Sequence, residues 1–199
     1  MTAPGPNGAA GPKRRWYQTN DNALMAPAGK RRIPMTVTFL EMNAKPAVLP
    51  PPQPRGKVAL LKSEKPPVHF YRYLYDAIGK DYYWVDRKKL TPEALAEVIH
   101  DPLNLLFILY AEGNPAGLAE LDLRKSGDCN ISYFGLIPEA MGKHLGYFFL
   151  YHTCINAWLQ PIQRLTVNTC TLDHPRALPL YQRLGFTAYN REERFVELP

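Results

Sequence analysis

Phe134-Gly-Leu-Ile-Pro-Glu-Ala-Met-Gly-Lys-His-Leu-Gly-Tyr-Phe-Phe-Leu150 reads as a buried strand that stops at Pro138, a loop with glycines at 142 and 146, and an apolar helix from Tyr147 to about Leu159. A glycine-bearing turn that feeds a helix N-terminus aims several backbone N–H groups and the positive end of the helix dipole at one point, which suits a pyrophosphate. The same succession also serves as plain scaffold, so the stretch leaves two readings: a phosphate cradle and a structural turn.

On its C-terminal side, Arg164 to Cys170 is rich in β-formers and reads as a strand. Leu172 to Leu184 reads as a short helix, opened by Asp173 or His174 with Pro175 at its start and ended by Gly185. Phe186 to Leu198 is expected to form a closing pair of strands that turns near Asn190-Arg191. On the N-terminal side, Gly56 to Ser63 reads as a first strand, and His69 to Ile78 carries Phe70, Tyr71, Leu74, Tyr75 and Ile78 at helical spacing. An aromatic and charged loop, Lys80 to Arg87, leads to a second helix opened by Thr91-Pro92 and running to about His100. Leu105 to Glu112 and Pro115 to Arg124 form a hairpin about Gly113-Asn114, and Asp128 to Leu136 adds a further strand. The order predicts an α/β (α+β) chain, a mixed sheet with helices on its faces.

Charge divides the chain. Residues 1–55 hold eight Lys and Arg against two acidic residues and ten of the twenty prolines, whereas residues 56–199 hold sixteen of each sign. The first segment is therefore expected to be a basic, Pro-rich leader that is mobile or lies on the surface, and the neutral remainder to be a single domain. Its clusters Lys13-Arg14-Arg15 and Lys30-Arg31-Arg32 are read as solvated tail rather than as a nucleic-acid contact, and Met35 offers a second possible start that would leave residues 1–34 outside the chemistry. Cys129, Cys154 and Cys170 lack the spacing of a disulfide framework or a zinc site. With no membrane-length apolar run and no secretory signal, the expected location is the cytoplasm.

Two segments carry a resemblance when taken together: the strand, glycine loop and helix of 130–158, and Arg164 to Phe186 with its ending Leu180-Tyr181-Gln182-Arg183-Leu184-Gly185-Phe186. The pair resembles the GNAT superfamily of N-acetyltransferases over roughly residues 56–199. The resemblance implies a GNAT-like, mostly antiparallel central sheet with helices on both faces, acetyl-CoA as the acyl donor and a small primary amine as acceptor. It implies that the end of the strand, Gly135 to Pro138, carries a bulge whose free backbone groups meet the pantetheine arm and the thioester, with Leu136 and Ile137 at the cofactor. It places Met141, Gly142, Lys143, His144, Leu145, Gly146 and Tyr147 at the pyrophosphate, His174 at the cofactor edge, and Tyr181 at the departing thiolate.

For the base, Glu120 and Asp122 share one strand face, and Glu120 is the choice, reached through water. The acceptor is expected beside Tyr83, Trp84 and Asp86, with Asp122 on the same side. The loop departs from the family's Gln/Arg-x-x-Gly-x-Gly/Ala: the first position is Met141 and the middle glycine is His144, whose Cβ would stand near the phosphates. An acyl-CoA-binding or regulatory module without catalysis is the alternative those departures allow, and an enzyme tethered to nucleic acid by the leader is a third. A homodimer is left open.

Overall fold

Inward and outward residues alternate along Arg164–Cys170, whereas Asn104–Ala111 is apolar or aromatic after its first residue, and the computed structural model gathers these and five further strands into one seven-stranded sheet. It describes residues 32–198. The strands are β1 (Arg32–Met42), β2 (Val58–Lys62), β3 (Asn104–Ala111), β4 (Asn114–Asp122), β5 (Asp128–Leu136), β6 (Arg164–Cys170) and β7 (Thr187–Glu197). The helices are α1 (Val68–Gly79), α2 (Pro92–Ile99), α3 (Leu145–Ala157) and α4 (Ala177–Leu184). The strand order is β2-β3-β4-β5-β6-β1-β7, and every neighbouring pair is antiparallel except β5 with β6.

Local chemistry explains the helices. Thr91 caps α2 by accepting from the Ala94 N–H at 3.2 Å, with Pro92 in the first turn. The apolar stripe of α1 buries Tyr71, Leu74, Tyr75 and Ile78. α3 is apolar on nearly every side, so it can only be stable inside; Leu145, Phe148, Phe149, Leu150, Tyr151, Cys154 and Ala157 are all buried. The sheet divides the core. α1 and α2 cover one face with Leu106, Ile108 and Leu118, while the α3 side joins Leu40, Leu121, Ile131, Phe149 and Tyr181.

Two expectations fail, and one fact connects them. The boundary expected at residue 55 does not hold for Arg32–Met42: β1 lies between β6 and β7, and buries Val37, Leu40 and Met42. The closing hairpin at the C-terminus is absent. Thr187–Glu197 is one unbroken strand paired with β1, in the register Arg32↔Glu197 to Glu41↔Thr187, with an irregularity beside Phe39. β7 thus takes its antiparallel partner from the N-terminal part of the chain. Residues 1–31, which carry most of the expected leader and its basic clusters, lie outside the described residues. The last helix also begins later than expected, at Ala177, since Asp173 to Arg176 form a turn.

Candidate functional site

The parallel pair is the feature that opens the sheet. Its ladder holds four residue pairs, Asp128↔Arg164 to Ile131↔Val167, and then ends. Beyond it β5 runs on to Leu136 beside β4, while β6 runs on to Cys170 beside β1, so the two strands part. At the same level the β4–β5 register skips Ser132: Glu120 stands opposite Tyr133, and Leu121 opposite Ile131. An irregularity of this kind frees backbone groups and re-aims side chains. It lies at Ser132 and not at Gly135–Pro138, where it was expected. Ile137 is not free either, since its N–H donates to the Ala116 carbonyl at 3.0 Å.

The glycine loop and α3 stand at the end of the open stretch. A Cβ on Gly146 would lie 3.8 Å from the Leu136 side chain, so the first turn of α3 adjoins the end of β5. The N–H groups of Leu145, Gly146 and Tyr147 have no acceptor inside the helix. Before them, Met141 donates its N–H to Pro138 at 3.1 Å, and a Cβ on Gly142 would meet nothing within 4 Å, which leaves the loop open in front. Gly142 and His144 both hold positive φ, 74° and 59°, and His144 is the residue from which α3 starts. The backbone therefore keeps a left-handed turn where the family pattern has glycine, and the exposed imidazole stands outside it. Lys143 is exposed as well, and Arg183, which the sequence reading passed over, lies 4.4 Å over the Tyr147 ring. Open backbone donors with nearby cations fit the pyrophosphate of a coenzyme A.

Tyr181 sits on the α3 side of the opening, 6 % exposed, with its ring edge toward Phe134 at 6.4 Å and Phe186 at 5.9 Å. Burial, with Asp173 and Cys154 nearby, pushes its phenol far above the ordinary range. A phenol so placed remains protonated and acts as a hydrogen-bond donor. Asp173 closes the turn after β6 by accepting from the Thr169 hydroxyl at 2.7 Å and the Cys170 N–H at 2.9 Å. His174 accepts from the Arg176 N–H at Nδ1 (3.1 Å), and its ring meets Tyr82 at 6.2 Å. That contact joins the loop after α1 to the loop after β6.

On the other face Glu120 is fully buried. Its Oε2 accepts from the Tyr71 hydroxyl at 2.6 Å, and its Oε1 pairs with the buried guanidinium of Arg87, which also donates through Nε to Tyr71. Burial alone would lower the pKa of Arg87, but Glu120, Tyr71 and Tyr133 outweigh it and hold the guanidinium charged. Arg87 stands 5.2 Å over the Tyr133 ring, and Tyr133, Tyr75 and Trp84 pack within 5.0–5.3 Å of one another. Burial pushes the Tyr75 hydroxyl up to about 12 and Tyr71 and Tyr133 well above their usual value, so this cluster is neutral apart from the ion pair.

The structure thus brings Trp84 and Glu120 into one cluster and leaves the other acceptor candidates outside it. Tyr83 is exposed at positive φ, and Asp86 faces water with Lys89. Asp122 is tied to Arg124 at the far end of β4, opposite Asn130. Arg87 and Tyr71 were missed because their partner Glu120 is 33 and 49 residues away in the chain, and no local pattern marks such a pairing.

Residues 83–197 match the family model described as "Acetyltransferase (GNAT) domain". No curated protein matches the chain. Among solved structures, a GCN5-related N-acetyltransferase from Kribbella flavida has a TM-score of 0.57 at 17% identity, over 83% of this chain and 60% of that one. One from Sphaerobacter thermophilus has a TM-score of 0.54 at 17% identity, over 85% and 52%. The ribosomal-protein-S18-alanine N-acetyltransferase from Escherichia coli has 0.55 at 15% identity, over 67% and 80%. At these identities the likeness is one of fold. The chain spans between about half and two thirds of the length of the first structures it matches.

Proposed function

Given that the chain belongs to the GNAT acetyltransferase family, we propose that it transfers the acetyl group of acetyl-CoA directly to a primary amine of a small molecule. The observation that carries this reading is the parting of β5 and β6 beyond Ile131 and Val167, with open amides of α3 at one end and Tyr181 beside it. When bound, acetyl-CoA supplies an activated thioester and a thiol leaving group. The turn from Gly142 to Tyr147 holds the pyrophosphate with backbone N–H groups, and Lys143 and Arg183 add positive charge around it. The irregular stretch of β5 at Ser132 offers backbone donors for the carbonyl oxygen.

Tyr181 donates a hydrogen bond to the departing sulfur and keeps its proton, because burial holds the phenol above the thiol range. Glu120 is the proposed acceptor of the ammonium proton. Both of its oxygens are engaged, so it works through a water or once its contact with Arg87 opens. Direct transfer is favoured over a thioester-linked enzyme, since burial raises the pKa of Cys129, Cys154 and Cys170 and keeps each a poor nucleophile. No helix among the described residues is long and apolar enough to cross a membrane. Three free cysteines support the cytoplasm as the working location.

Release of free thiol from acetyl-CoA across a panel of primary amines tests the proposal, and the absence of release with every amine overturns catalysis. Binding of acetyl-CoA without release would instead support a module that only binds acyl-CoA. Tyr181→Phe is expected to lower turnover roughly 10–100-fold with little change in acetyl-CoA affinity, a loss of about 1.4–2.7 kcal/mol of transition-state stabilisation. Unchanged turnover would remove Tyr181 from the mechanism.

A further inference from the structure

The two edges of the sheet differ. β2, at one edge, is five residues long, with Lys57 just before it and Lys62 at its end, the short and charged form that keeps a sheet from extending into a neighbour. β7, at the other edge, is eleven residues long, holds neither lysine nor proline, and pairs among the described residues with β1 alone. Its outer backbone groups are a template for a further strand. We propose that this edge pairs antiparallel with β7 of a second copy of the chain, about a two-fold axis at Glu193.

The side chains of β7 are their own complement. The regular part of the strand starts at Asn190, since the irregularity beside Phe39 falls at Tyr189, and it contains Arg191-Glu192-Glu193-Arg194. A parallel neighbour in register would set each of these charges against its own kind, which destabilises a sheet. The antiparallel neighbour related by the axis at Glu193 sets Glu192 opposite Arg194 twice and Arg191 opposite Phe195 twice. Arg194 holds Glu192 within its own strand, through Nε at 2.9 Å and Nη2 at 2.5 Å, so the two copies together form a ring of two guanidinium groups and two carboxylates. Phe195 is 55 % exposed although Arg32 stands 5.0 Å over its ring, and the copy's exposed Arg191 covers more of it. The one like pair is Glu193 with Glu193. Each accepts from a Thr36 hydroxyl at 2.8 Å and has the copy's Arg191 on the diagonal. An axis at Glu192 would shorten the regular ladder and put Phe195 opposite the irregular Tyr189.

Such an axis, perpendicular to the sheet, joins two seven-stranded sheets into one and sets the α1 faces of both copies on the same side. The ladder covers only Asn190 to Val196 of each chain, less than a standard interface, so the expected complex is a reversible dimer with a dissociation constant in the micromolar range.

Sedimentation velocity of the full chain, at concentrations from about 1 to about 200 µM, tests the pairing. A monomer–dimer equilibrium is expected. Glu192→Arg and Arg194→Glu should each weaken it about tenfold, because each sets like charges opposite one another. An equimolar mixture of these two variants should form the dimer again, since only the mixed pair matches Arg with Glu at both positions. Arg191→Glu, at an exposed position, should weaken the dimer about threefold and decides the matter if the other two variants are unstable. A monomer at every concentration, a dimer unchanged in all three variants, or no recovery on mixing overturns the proposal. A monomer whose amides in 190–196 resist hydrogen exchange would overturn it in favour of residues 1–31 as the cover of this edge. No acetyl-CoA is present, so the outcome is independent of whether the chain transfers an acyl group.

Discussion

His144 holds φ 59° and ψ 17° at the start of α3. A side chain there is disfavoured by about 1–2 kcal/mol, and glycine takes the same conformation without strain. His144→Gly is therefore expected to stabilise the fold by about 0.5–1 kcal/mol, since glycine also gains entropy in the unfolded chain; denaturant unfolding measures it. Because the imidazole is exposed and the turn is already formed, acetyl-CoA affinity should change little, and a large gain would mean that the ring obstructs the phosphates. Glu120 presents the opposite case. Glu120→Gln leaves the Arg87 guanidinium buried without its charge partner, and a loss of about 3–5 kcal/mol is expected in thermal unfolding. Exchanging both partners for apolar residues, Arg87→Met with Glu120→Leu, should recover part of that loss. Recovery would assign the pair a structural role beside any role in proton transfer.

At the scale of elements, the closed end of the β5–β6 pair is fastened by charge. Arg164 on β6 donates to Asp128 on β5 at 2.8 Å and to Glu41 on β1 at 3.3 Å, and Lys125 adds to Asp128. The Arg164 hydrogen bond, with Lys125 beside it, holds the Asp128 carboxyl below the ordinary carboxylate range. A carboxyl lowered in the folded state stabilises the fold above its unfolded pKa, near ~3.9, and that stability is lost as pH falls through the folded value. Arg164→Gln should therefore lower the melting temperature at pH 7, and the difference from the native chain should shrink as pH falls from about 5 to below 3. A difference independent of pH would place the effect in packing. The open end is held by shape. A Cβ on Gly135 would come within 2.4 Å of Ile78, so α1 packs directly on the strand where it leaves β6. Gly135→Ala should loosen that contact and cost roughly 1–3 kcal/mol by overpacking, read as a lower denaturation midpoint.

At the scale of the whole molecule, β1 decides whether the sheet is complete. Val37, Leu40 and Met42 are buried, and at about 1.5–3 kcal/mol each they contribute roughly 5–9 kcal/mol, comparable with the net stability of a domain. A chain beginning at Gly56, the boundary that composition suggests, lacks β1 and leaves β6 with an open edge and β7 with no partner strand. It is expected to show no cooperative unfolding transition, whereas a chain beginning at Arg31 contains every strand of the described residues and should show one. Cooperative melting of the shorter chain would mean that β1 is dispensable.

The sequence determined the elements whose signals are local. The helical stripe of Phe70 to Ile78, the Thr91-Pro92 start, the Gly113-Asn114 hairpin, the glycine loop and the Leu180-Tyr181 to Gly185-Phe186 ending each place their information within a dozen residues, and the GNAT family follows from the last two. Only the tertiary structure decided which strand fills the place between β6 and β7, because the alternation of Ile33, Met35, Val37 and Phe39 names no partner strand and sits beside basic, Pro-rich sequence. Its strand state comes from long-range pairing with residues more than a hundred positions away. The same holds for Arg87. In the sequence it is one more charge after an aromatic loop. Its meaning depends on Glu120 and Tyr71 on other elements, because the cost of burying a charge is set by the partners that folding brings to it.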